Sequence, residues 1–173
     1  MTTTASLHVR GSTLRRVITD IEAGAGLPWD AELAAAYGDR GSLLVALHDH
    51  WSRQLLARVD VALELGTGGP HESVVLAWRS AVRDQPGVRS VLDAASDQPA
   101  LRAARRSLFV AVAVAAGLAT FDDPPAASAA TGARFLAAAD AEPSTARRRS
   151  RFALVLRRLW DGGPPPDPYP WAD

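Results

Sequence analysis

The stretch from Ser42 to Leu65 constrains the fold most, because it carries a long helical pattern that no proline or glycine interrupts. At about 100° per residue its acidic residues, among them Asp49 and Asp60, share one side. The opposite side is apolar and holds Leu43, Leu44, Leu47, Trp51, Leu55, Val59, Ala62 and Leu65. This pattern predicts an amphipathic helix embedded in a helical bundle.

The rest of the chain also favours helix, since alanine, leucine and arginine dominate it and strict alternation is rare. Glycine and proline divide it into further segments. The remaining predicted helices are Thr13–Ala23, Asp30–Tyr37, Glu72–Asp84, Gly87–Ala95, Pro99–Thr120, Pro125–Ala141 and Ser144–Trp160. We therefore predict an all-α fold. Its expected parts are a region of short helices over 1–41, a larger helical domain over 42–161, and a proline-rich tail over 162–173.

Composition excludes several kinds of protein. The 173 residues carry 19 basic and 19 acidic side chains, so any binding to nucleic acid or an anionic membrane must rest on a local patch. Because cysteine is absent, disulfides, thiolate catalysis and cysteine-bound metals are excluded. The amino terminus has no apolar run of signal-peptide length, and the apolar run from Leu108 to Ala119 is shorter than the roughly 20 residues that span a bilayer. We expect a soluble, cytoplasmic protein.

Polar residues interrupt the apolar face of the Ser42–Leu65 segment, and buried polar groups need partners. A cavity that binds a small organic molecule would supply them, as would ordinary neighbouring side chains. In the next segment Trp78 lies beside arginine, a combination that suits an organic ligand as well as a core. The candidate ligand-binding residues are His48, Trp51, Gln54, Arg58, Trp78 and Arg79.

The sequence His48-Asp49-His50 suggests a metal site, but residues two apart on a helix point about 200° away from each other. We therefore expect no metal site and no cofactor. A lone histidine such as His48 could also act as a general base. Since no second carboxylate or nucleophile is fixed near it by sequence, we assign no catalytic residue and expect a protein that is not an enzyme.

The last two predicted helices differ in character. Pro125–Ala141 is mostly alanine, whereas the final helix has an apolar flank, which either completes a core or contacts an identical subunit. The candidate dimer-interface residues are Phe135, Phe152, Val155, Leu156 and Leu159. The arginine-rich run Arg147–Arg151 is either a solvated face or a site of phosphate contacts.

The segment from Val17 to Trp51 resembles the end of the DNA-binding domain of TetR-type (tetracycline-repressor-like) regulators and the long helix that follows it. The corresponding positions are Ile21, Ala25–Gly26–Leu27, Leu33, Tyr37, Gly38–Asp39–Arg40 and Leu43–Leu44. The resemblance covers about 35 residues, and the remainder is similar only in the number and length of its helices. It implies a TetR-like helical bundle with a short or degenerate helix-turn-helix region over 1–41 and a ligand-binding and dimerisation domain over 42–161. It also implies a homodimer, a small organic effector and DNA contacts from the helix-turn-helix, for which the candidates are Arg15, Arg16, Trp29 and Arg40.

The sequence also departs from the TetR pattern. Only about a dozen polar or small residues precede Thr13, so the first family helix is expected to be missing or vestigial. The recognition-helix position holds Ala34, Ala35 and Ala36, and three arginines face five acids between Thr13 and Arg40. Alanine offers only methyl contacts to thymine, and the charge balance disfavours phosphates.

Three hypotheses follow from these features. The first is a TetR-like, ligand-responsive transcriptional regulator with weak or lost DNA binding. The second is a TetR-like protein that does not bind DNA and that binds a small molecule or blocks a related partner. The third, an enzyme on the same helical body, has the least support.

Overall fold

A computed structural model of the chain describes residues 3–66 and 68–141, with side-chain burial from residue 9 onward. Over these residues the chain forms seven helices and no strand, so the predicted all-α class is confirmed. The helices are α1 (Thr3–Glu22), α2 (Ala31–Tyr37), α3 (Arg40–Leu65), α4 (Pro70–Asp84), α5 (Pro86–Ala94), α6 (Pro99–Ala115) and α7 (Pro125–Ala141). The predicted helix Ser144–Trp160, the arginine run and the proline-rich tail lie outside the described residues.

Helix α3 is central and packs mainly against α4 and α6. Its buried apolar residues lie three or four positions apart or are adjacent, as one embedded face of an α-helix produces. They are Leu43, Leu44, Leu47, Trp51, Leu55 and Val59. Leu65 was expected on the same face but is 78% exposed, because it is the last residue of the helix. No helix of the described part of the chain is long and apolar enough to cross a membrane.

Helix α1 begins at Thr3, so it is longer than the helix predicted from Thr13. Within the added part, Arg10 contacts α2: Arg10 Nε donates to Ala36 O at 2.8 Å, and Tyr37 Oη donates to Arg10 O at 2.8 Å. Helix α1 ends in a Schellman motif, in which Gly24 adopts φ 91° and the Ala25 amide donates to Asp20 O.

Helix α6 ends at Ala115, before the predicted end at Thr120. Gly117 adopts φ 70°, its amide donates to Val114 O, and the Leu118 amide donates to Ala113 O. This is a second Schellman motif, and Gly117 terminates the helix.

Helix α7 approaches α6 closely where Gly132 lies on Phe109, whose carbonyl leaves no room for a Cβ atom. Residues 1–140 form one unit of dense internal contacts, and the boundary predicted between residues 41 and 42 falls in the first turn of α3 within it. Residues 142–173 lie outside the described part of the chain, and so does the boundary predicted between residues 161 and 162.

Candidate functional site

Two buried tryptophans form the centre of the candidate site. Trp51 projects from α3 and Trp78 from α4, with 3% and 2% of their surfaces exposed. Their ring centroids lie 5.2 Å apart with an interplanar angle of 86°, the edge-to-face arrangement that aromatic rings prefer. Both residues were candidate ligand-binding residues, and the structure brings them together.

Arg89 of α5 lies over both rings. Its Cζ atom is 4.5 Å from the Trp78 ring centroid and 5.9 Å from that of Trp51, within the range of a cation–π interaction. Two carboxylates hold the guanidinium there: Nε donates to Asp93 Oδ2 at 2.5 Å and Nη2 to Asp140 Oδ2 at 3.4 Å. We call Trp51, Trp78, Arg89, Asp93 and Asp140 the tryptophan–arginine cluster.

Asp140 also ties the cluster to the end of α7. Its Oδ1 accepts a hydrogen bond from Trp78 Nε1 at 2.7 Å, while its Oδ2 accepts from Arg89. One carboxylate therefore satisfies the buried indole and neutralises the cation above the ring.

A small cavity of about 20 Å³ lies beside the cluster, enough for a single water. Its lining comprises His48, Trp51, Trp78, Arg89, Leu92, Asp93, Arg105, Leu108 and Phe109. Trp51 Nε1 is buried and has no hydrogen-bond partner among residues 3–66 and 68–141. An unsatisfied buried donor is costly, on the order of 1–3 kcal/mol, so this N–H group is suited to donate a hydrogen bond to an acceptor from outside the protein.

His48 lies on the same wall and is 4% exposed. Its Nδ1 atom is 3.3 Å from Ser52 Oγ and 3.9 Å from Asp49 Oδ1. Burial lowers the pKa of His48 below its ordinary value, Asp49 opposes that effect, and Arg105 reinforces it. The imidazole is therefore neutral at pH 7 and can accept or donate one hydrogen bond toward the cavity.

The other three candidate ligand-binding residues do not line this cavity. Gln54 is exposed on the surface of α3. Arg58 pairs with Asp84 at 3.1 Å, which joins α3 to the end of α4. Arg79 donates through Nε and Nη2 to Ala139 O, at 3.3 and 3.2 Å, and so fixes the last turn of α7.

Sequence reasoning missed Arg89, Asp93, Arg105 and Asp140. The spacing of Arg89 and Asp93, four apart on one helix, was a local signal for an ion pair. Nothing local indicated that Asp140 lies near Trp78, since 62 positions separate them. Arg105 donates to Leu92 O at 3.3 Å and lies 5.8 Å over the Phe109 ring.

The surface of α2 is a second candidate site, because α2 occupies the recognition-helix position. Asp30 caps the helix by accepting from the Leu33 amide at 2.8 Å. Arg16 of α1 donates to Glu32 at 2.8 Å and lies 3.8 Å from Asp30. The hydrogen bond that Arg16 donates to Glu32, together with the negative charge of Glu32, raises the pKa of Arg16. Both acids thus pair with Arg16 in an ion-pair group that stays exposed on the surface.

The remaining candidate DNA-binding residues are dispersed. Arg15 and Arg40 are exposed, the latter at the start of α3. Trp29 is half-buried and packs against the core. The exposed positions of α2 itself are Ala31, Glu32 and Ala35, so its outer surface carries two methyl groups and one paired carboxylate.

The candidate dimer residue Phe135 is buried within the chain. Its ring lies 4.7 Å from the His71 ring at 75°, and only 8% of the residue is exposed. Little of it is left for a partner subunit. The other four candidates, Phe152, Val155, Leu156 and Leu159, lie outside the described residues.

Metal-binding side chains do not converge: the described part of the chain contains no group of three or more His, Asp or Glu residues placed to hold one ion. In comparisons with known proteins, the chain matches no family, no curated protein and no solved structure.

Proposed function

We propose that this chain is a TetR-like small-molecule-binding protein that uses the tryptophan–arginine cluster as its ligand site and does not read DNA through α2. The observation that carries the proposal is the buried Trp51 Nε1, which lacks a hydrogen-bond partner within the described residues and belongs to a cavity-lining side chain. Buried aromatic surface with few polar groups around a cavity is the usual make-up of a small-molecule site.

The size of the cavity sets a condition on binding. A volume of about 20 Å³ admits no organic molecule, so the ligand must displace a side chain. Among the charged lining residues, Arg89 has 23% of its side chain exposed and comes from α5, a helix of nine residues. Its displacement opens the space above both tryptophan rings.

Helix α5 also supplies a connection to the amino-terminal helices. Glu22 at the end of α1 accepts hydrogen bonds from the Gly87 and Val88 amides at 3.2 and 2.8 Å. A ligand that moves Arg89 therefore acts on a helix whose first turn is bound to α1. That is how ligand binding reaches the α1–α2 pair in this proposal.

The charge distribution on α2 supports a function without DNA reading. DNA affinity comes mainly from cations on phosphates, and α2 offers none on its surface. The order of α1, α2 and α3 favours a second candidate, a TetR-like transcriptional regulator that binds DNA. Homodimerisation and pairing with an intact relative stay predictions within either function.

The test of ligand binding is a thermal-shift screen of the purified protein against small aromatic and aliphatic molecules of positive, negative and zero charge. We expect at least one class to raise the melting temperature, and His48→Ala, which changes a cavity-lining residue, to abolish the shift. Gln54→Ala is the matched control on the exposed side of α3 and is expected to leave it intact. A shift that survives in His48→Ala, or no shift with any class, contradicts the proposal.

A further inference from the structure

The tryptophan–arginine cluster already contains a bound cation, which is the side chain of Arg89. Two aromatic rings at right angles and two carboxylates surround its guanidinium, at the distances given above. Aromatic faces and carboxylates together are the surroundings that organic cations select in proteins. The position of the Arg89 side chain thus shows which ligand chemistry the cluster accommodates.

The charges around the cluster point the same way. With Arg89 in place, its guanidinium pairs with the two carboxylates Asp93 and Asp140. Without the guanidinium, both carboxylates lose this partner. A ligand that replaces Arg89 restores the pairing only if it carries a positive charge, and an anion would face both carboxylates at close range.

We propose that the cluster is a binding site for a small organic cation, and that Arg89 occupies it as an internal competitor in the absence of ligand. The proposal rests on the proposed function and names the ligand class of the same site. The cation replaces the guanidinium over the Trp78 ring and pairs with Asp140. The Trp51 Nε1 atom and His48 then contribute to recognition of any polar group that the cation carries.

The test compares choline with 3,3-dimethylbutan-1-ol, a neutral molecule of nearly the same shape, in calorimetric titrations at matched ionic strength. The key variant is Arg89→Met, which keeps an apolar stem and removes the competing charge. We expect Arg89→Met to bind choline at least about tenfold more tightly than the wild type, because an internal competitor lowers apparent affinity by the fraction of sites it leaves open. Arg83→Ala, an exposed arginine of α4, is the matched control and is expected to change nothing.

A second substitution in the Arg89→Met background isolates the carboxylate. Adding Asp140→Asn is expected to lower the choline affinity about tenfold and to leave the affinity for the neutral alcohol unchanged. If Arg89→Met does not fold, as circular dichroism would show, the wild type decides: choline must raise the melting temperature more than the alcohol does at equal concentration.

The outcomes separate this inference from the proposed function. Equal binding of choline and the alcohol by Arg89→Met overturns the cation site, while a ligand from the broader screen still supports the proposed function. Failure of choline to bind both Arg89→Met and the wild type also overturns the cation site. If no molecule of any charge class stabilises the protein, the proposed function fails as well.

Discussion

His48 shows how a single residue acquires its properties from its surroundings. On sequence alone it was a polar interruption of an apolar face, open to several roles. In the structure it is buried beside Trp51 and its proton affinity is reduced, because an imidazolium in this position loses hydration and lies near Arg105. A neutral, cavity-lining imidazole suits ligand recognition better than a charge-bearing role.

The lowered pKa of His48 predicts a loss of stability in acid. The unfolded state binds the proton with the ordinary pKa near 6.5 and the folded state binds it less tightly. The stabilisation is therefore present above about pH 6.5 and is lost as pH falls through the lower, folded value. Between about pH 7.5 and pH 5.5, urea unfolding of the wild type should lose more free energy than that of His48→Gln.

The comparison of the wild type with His48→Gln controls for the other groups that titrate in this pH range. Burial and Arg53 lower the pKa of His50 as well, so the variant retains part of the acid dependence. Equal losses of stability in wild type and His48→Gln would show that His48 has the same pKa in the folded and the unfolded state.

At the scale of elements, the junction of α1 with α5 is the contact that links the amino-terminal helices to the candidate site. Helix α5 has no side-chain cap of its own, and Glu22 of α1 satisfies its first amides. Gly87 allows the approach, since a Cβ atom there would lie 2.7 Å from Ile21 O.

Two glycine substitutions test this junction, with Gly11→Ala as the control for Gly87→Ala. Gly87→Ala should destabilise the fold by about 1–3 kcal/mol, because backbone must move to admit the methyl group. Gly11→Ala, in α1 with nothing within 4 Å of its added Cβ, should stabilise it by up to about 1 kcal/mol through helix propensity. Denaturant titrations measure both. A neutral Gly87→Ala would mean that α1 and α5 are less tightly joined than the structure indicates.

The sequence predicted the elements where periodicity and end signals agreed, as in α3, whose apolar residues recur every three or four positions. It failed at the start of α1, where residues 3–12 have weak helix propensity and contacts between Arg10 and α2 supply the stability. It also placed the end of α6 too late, because the left-handed conformation of Gly117 is decided by hydrogen bonds to Ala113 and Val114. Half of the candidate ligand residues lie together, but Asp140 reaches Trp78 only through the packing of α7, which no local pattern encodes.

At the scale of the whole molecule, the TetR resemblance implies both a helical domain that binds a ligand and a helix-turn-helix that reads DNA. The structure has features that suit the first and not the second. The helices from α3 onward carry the tryptophan–arginine cluster, in which the buried Trp51 of α3 and Trp78 of α4 lie under Arg89 of α5. The α1–α2 pair has its cation Arg16 bound by Asp30 and Glu32, and a surface of small side chains. We therefore assign the proposed ligand binding to the helices from α3 onward and predict that α2 does not read bases.

A mobility-shift assay with the purified protein and DNA from upstream of its own gene tests this claim most directly, in a salt series from about 50 to about 200 mM. We predict no sequence-specific complex, even at about 50 mM, where phosphate contacts are strongest. A complex that resists excess unrelated DNA, and that is weakened by joint substitution of Arg15→Ala and Arg40→Ala, would contradict the account.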